Sequence, residues 1–126
     1  MAQNNSAQKN RQILDKRHTH RLKCEIPVRY QIVGKKGIFS GRIINIGSGG
    51  LCMLRDTVIS DHEFIKIFFP FKRKKQHVYC SVLRIEGREV ALAYEMTEKE
   101  QTKFIDIFNL EFHDGTLKGF IYFNTI

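Results

Sequence analysis

The sequence predicts a mainly β fold: a six-stranded antiparallel β-barrel closed by one C-terminal α-helix. Three observations carry this expectation. Residues 24–32 alternate strictly between apolar and polar, the period of a half-buried strand. Further short apolar runs follow, separated by glycine, proline and charged turns, and strands spaced in this way point to a closed barrel or a compact sandwich. From Thr97 onward the apolar residues recur at helical spacing instead.

Taken in order, Cys24, Ile26, Val28, Tyr30 and Ile32 form one face of the first strand, and Glu25, Pro27, Arg29 and Gln31 the other. Pro27 lacks a backbone donor, which predicts an edge or an early position in the strand. Gly34-Lys35-Lys36-Gly37 reads as a hairpin turn into a second strand over 38–46. The turn Gly47-Ser48-Gly49-Gly50 leads to a third strand over 51–55, and 64–69, bounded by Pro70, forms a fourth. Residues 78–85 and 89–96 make a fifth and a sixth, joined through Glu86-Gly87-Arg88.

Thr97 and Glu100 form a capping box, a hydroxyl at the N-cap answered by a glutamate three residues later. The helix over 98–112 then aligns Phe104, Phe108 and Phe112 on one face, joined by Ile105. So much phenylalanine must cover something apolar, and one mouth of the barrel is the expected place. His113-Asp114-Gly115 supplies a stop. The tail over 115–126 is apolar and aromatic from Leu117 to Phe123 and is expected to pack on the body, with a dimer or partner surface as the alternative. Residues 1–16 are polar and read as a flexible arm, leaving 17–126 as one domain with its barrel at about 24–96.

With 126 residues, 42% of them hydrophobic, the chain can bury one proper core. Its net charge of +8 favours anions: nucleotides, nucleic acid, an acidic protein or an anionic membrane surface. Cys24, Cys52 and Cys80 sit singly without a C-x-x-C pair and read as buried free thiols in a reducing compartment. The N-terminal residues hold no signal-like apolar stretch, and no run reaches membrane-spanning length, so a cytoplasmic protein is expected. There is no nucleophile motif, catalytic carboxylate pair or phosphate loop, so catalysis is not expected. His18 and His20 lack a third ligand nearby and read as exposed imidazoles, not a metal site. Lys72-Arg73-Lys74-Lys75 reads as a solvated loop.

Two polar stretches carry the functional information. Arg17 and Arg21 place two guanidinium forks four residues apart, each able to grip a phosphate or bond the edge of a guanine. Asn45-Ile46-Gly47-Ser48-Gly49-Gly50 follows after 23 intervening residues. Together they resemble the two-part signature of the PilZ domain family, Arg-x-x-x-Arg and then Asp or Asn-x-Ser-x-x-Gly. The likeness continues through Gly49-Gly50-Leu51 and Phe108-Asn109-Leu110, over about residues 15–112.

This resemblance implies a receptor for cyclic di-GMP in bacterial second-messenger signalling, with a protein partner downstream and no further cofactor. Arg17 and Arg21 would clamp the guanines and phosphates, Asn45 would orient a guanine, and Ser48, Gly49 and Gly50 would form the turn that approaches it. The family's serine falls on Gly47, a missing hydroxyl worth about 1 kcal/mol. The alternative is a degenerate, nucleotide-independent adaptor, an assembly subunit of a pilus or secretion system. An oligonucleotide-binding barrel ranks lower, because most aromatics sit at core-periodic positions and few are free to stack on bases.

Overall fold

The computed structural model describes residues 14, 21–72, 76–115 and 117–125. Six antiparallel strands close into a barrel: β1 (Arg21–Ile32), β2 (Phe39–Gly47), β3 (Gly50–Leu54), β4 (Phe64–Phe69), β5 (Gln76–Glu86) and β6 (Glu89–Tyr94). Around the barrel they run β1-β2-β3-β6-β5-β4, and β4 returns to β1. Helix α1 (Glu98–His113) follows, then a short 3₁₀ turn (Lys118–Phe120) and a seventh strand, β7 (Ile121–Thr125).

The alternation in β1 is realised residue by residue: Leu22, Cys24, Ile26, Val28, Tyr30 and Ile32 are buried, while Lys23, Glu25, Pro27 and Arg29 are exposed. Gly34 and Gly37 take left-handed φ values of 90° and 105°, which lets the β1–β2 hairpin close with little steric cost. Pro27 lies in the stretch of β1 between its pairings with β7 (Leu22 to Cys24) and with β4 (Arg29 to Ile32), where a missing donor costs least.

The capping box forms as the sequence predicts, with Glu100 N–H donating to Thr97 Oγ1 and Thr97 N–H to Glu100 Oε1. Phe104, Ile105, Phe108 and Phe112 are buried. Phe104 packs its ring against Phe69, Phe71 and Tyr94, with centroids 5.1 to 6.2 Å apart, so the helix seals the barrel with an aromatic cluster. Such pairs add about 0.5–1.5 kcal/mol each beyond their buried area. Asp114 caps the helix and Gly115 follows at φ 89°.

The tail is more ordered than simple packing. β7 pairs with the Arg21 end of β1, Cys24 opposite Ile121 and Leu22 opposite Thr125. Apolar content alone did not distinguish a strand there. Leu14, assigned by sequence to the flexible arm, is fully buried. Its backbone is gripped by one side chain on α1: Leu14 N–H donates to Asn109 Oδ1 and Asn109 Nδ2 donates to Leu14 C=O, each at 3.0 Å. Asn109→Ala leaves both backbone groups without these bonds in a buried place, a cost of about 1–3 kcal/mol. The expected result is a melting temperature lower by several degrees, with hydrogen-exchange protection lost at the Leu14 amide. Unchanged protection there would show that Asn109 does not hold this segment.

Candidate ligand cleft

On the outer surface of the barrel, beside the β2–β3 turn, lies a cleft of about 440 Å³. Arg21, Asn45, Gly49, Gly50 and Cys52 line one side of it, and Leu83, Arg84, Glu89 and Ala91 the other. Arg21 opens β1 directly opposite Gly47 at the end of β2. Its Nε and Nη2 both donate to Asn45 Oδ1, at 3.0 and 2.5 Å. A neutral amide therefore orients this guanidinium without cancelling its charge, and the positive field of Arg21 remains available to an anion.

The turn itself is held from below. Tyr94 O–H donates to Gly47 C=O at 2.9 Å, Tyr94 N–H to Gly49 C=O at 3.2 Å, and Gln101 Nε2 on α1 to Ser48 C=O. Three successive carbonyls are thus tied to β6 and to the helix. Burial raises the Tyr94 pKa well above that of an ordinary phenol, so its hydroxyl stays a donor throughout the physiological range.

Gly50 is fixed by space. It pairs with Ala93 on β6, and a Cβ at this position would fall on the Leu92 carbonyl oxygen. Only a residue without a side chain lets β3 and β6 meet here.

Cys52 faces the cleft, whereas Leu51 and Met53 on either side of it belong to the core. Burial raises its thiol pKa, Glu89 adds to the rise, and Arg21 and Arg84 oppose it. Cys24 and Cys80 point inward, and burial pushes both to about 12. Because the thiolate is the reactive form, iodoacetamide is expected to modify Cys52 ahead of the other two, slowly at neutral pH and faster as the pH rises into the alkaline range. Peptide mapping by mass spectrometry checks the order, and first reaction at Cys24 or Cys80 would contradict this placement.

The family model described as PilZ domain matches residues 15–109. The chain belongs to the PilZ domain family. Solved structures agree at the level of fold. The PilZ domain of CeSA from a cellulose-synthesizing bacterium aligns with a TM-score of 0.58 and 15% identity, covering 75% of this chain and 97% of that one. An uncharacterized Legionella protein gives 0.52 and 20%, covering 75% and 95%. The Bacillus subtilis inhibitor of motility, MotI, gives 0.55 and 14%, covering 81% of this chain and 53% of its own. No curated protein sequence matches.

Of the residues expected at the site, the structure brings Arg21, Asn45, Gly49 and Gly50 to one cleft. Ser48 is not among the lining residues; it is buried, and its carbonyl faces the helix through Gln101. Gly47, at the signature serine position, is also buried and absent from the lining. Arg17, His18 and His20 lie outside the described residues, as do Arg73, Lys74 and Lys75 of the basic cluster. Lys72 is tied by its backbone N–H to Glu111 Oε1 at 2.9 Å. The sequence reading missed Leu83, Arg84 and Glu89, which reach the cleft from β5 and β6. A signal was present: the apolar alternation Val78, Cys80, Val82 breaks at the adjacent pair Val82-Leu83 and resumes at Ile85. Among the described residues, no helix is long and apolar enough to cross a membrane.

Proposed function

We propose that this PilZ domain is a receptor for cyclic di-GMP that passes the binding event to a protein partner. The observation that carries the reading is the Arg21–Asn45 pair, a cationic fork and an amide oriented toward each other at the rim of a cleft. A guanidinium suits the phosphates and the O6/N7 edge of guanine, and an amide can both donate to and accept from a base. Arg17, four residues before Arg21, supplies the second fork of the clamp. The missing hydroxyl at Gly47 weakens this grip by about 1 kcal/mol and leaves its charged part intact.

A route from ligand to partner is built into the same residues. The turn beside the ligand is tied to α1 through Ser48 and Gln101, and α1 holds Leu14 through Asn109. A ligand that reorganises Arg21 acts close to both anchors, because Arg21 stands opposite Gly47 at the start of that turn and seven residues after Leu14 in the chain.

Isothermal titration of the full chain with cyclic di-GMP at physiological salt tests the reading. Micromolar binding, about −8 kcal/mol, is expected. No heat and no melting shift with ligand at millimolar concentration would reject nucleotide reception and favour a nucleotide-independent adaptor.

A further inference from the structure

A single cross-strand row runs along the floor of the cleft. Asn45 on β2 stands opposite Cys52 on β3, Cys52 opposite Ala91 on β6, and Ala91 opposite Arg84 on β5. Residues directly opposite one another in a ladder share a face. The adjoining row, Ile46, Leu51, Leu92 and Val82, belongs to the core or packs against it, so the first row faces outward. It has polar side chains, Asn45 and Arg84, at its two ends and small ones between them. Three strand spacings separate Asn45 from Arg84, roughly 14 Å. A ligand lying along this floor is held at one end by Arg21 and Asn45, and the far end needs a contact of its own.

Arg84 reaches that end through a β-bulge. The β5–β6 ladder passes from Val82 opposite Leu92 to Arg84 opposite Ala91, leaving Leu83 without a partner. In an unbroken ladder Leu83 would have stood on the row and Arg84 would have pointed to the other face. The extra residue instead puts a guanidinium on the row and leaves Leu83 as an apolar wall, 68% exposed, on the same cleft. Arg84 is weakly held: its Nε donates to Glu86 Oε1 at 3.1 Å, with both side chains about two-thirds exposed. A solvated pair of this kind contributes about 0–1 kcal/mol and exchanges readily for a phosphate, which accepts two parallel bonds.

We propose that Arg84 is the opposing jaw of the cleft: it leaves Glu86 to take a phosphate of the bound nucleotide, while Leu83 lies against a purine face. This rests on the cyclic di-GMP reading above and assigns the residues that hold the far half of the ligand. Glu86 is then a competitor for Arg84, so removing its charge strengthens binding.

Titration of the full-length chain with cyclic di-GMP, in four forms, tests the assignment. Relative to the unaltered chain, Arg84→Gln is expected to bind about tenfold more weakly, and Glu86→Gln about two- to threefold more tightly. The gain from Glu86→Gln disappears in the double variant, because it acts only through Arg84. Melting temperatures within a few degrees of one another show that all forms are folded, as expected for exposed positions. If the unaltered chain binds, Arg84→Gln binds within twofold of it, and Glu86→Gln shows no gain, the assignment is wrong and the receptor reading stands. If the unaltered chain does not bind at millimolar ligand, both fall together.

Discussion

Arg21→Ala is expected to weaken cyclic di-GMP binding by between ten- and a hundredfold while leaving the melting temperature nearly unchanged. The size follows from the chemistry of the contact. A hydrogen bond to a charged group is worth about 1.5–3 kcal/mol, and each 1.4 kcal/mol is a factor of ten in affinity. The small effect on stability follows from where the side chain sits: Arg21 is only half-buried, and it bonds an amide at the cleft rim. Arg21→Lys keeps the charge but loses the fork, so it should fall between the two. Titration and thermal melting on the same preparations separate binding from folding. An alanine variant with unaltered affinity would remove Arg21 from the clamp and sink the proposed mechanism.

The second large effect concerns the fold. Gly50→Ala forces a methyl group onto the Leu92 carbonyl oxygen, between two paired strands whose backbones cannot move apart without breaking the β3–β6 ladder. Overpacking against a flexible side chain costs about 1–3 kcal/mol, and backbone offers less relief, so at least about 3 kcal/mol is expected. A domain of this size loses at least ten degrees of melting temperature at that cost. Gly87→Ala is the informative comparison. Gly87 has a φ of 62° and nothing close to the position of an added Cβ, so its cost is conformational only, about 1 kcal/mol. Equal losses in the two variants would refute the steric account. The signature glycine is thus an architectural requirement first, whatever the ligand asks of it.

The barrel was legible because each strand carries its own local evidence. β1 alternates through Cys24, Ile26, Val28 and Tyr30, and turns rich in glycine mark the ends. The helix announced itself through Thr97, Glu100 and the phenylalanines. β7 was not legible as a strand, since Ile121-Tyr122-Phe123 lacks alternation and its partner β1 is far away in the chain. Half of the cleft was legible for the same local reason: Arg21 and Asn45 belong to short motifs. The other half depends on register. Which of Leu83 and Arg84 stands beside Ala91 is decided by a bulge, and a bulge expresses the pairing of two strands. The turn shows the same limit: Gly47 and Ser48 are buried and only Gly49 and Gly50 reach the cleft, which the tertiary ties to Tyr94 and Gln101 decide.

The position of β7 has a consequence for the order of events in folding. β1 meets β2 through a local hairpin, an association on the microsecond scale. Its Arg21 end gains a second neighbour only when Ile121 reaches Cys24, across most of the chain, and contacts of such separation form late. The guanidinium that dominates the proposed site is mounted beside the stretch of β1, Leu22 to Cys24, whose second neighbour is expected to arrive last. In a refolding time course, the capacity to bind nucleotide would mark the finished molecule, and a closed barrel would still be a step short of it.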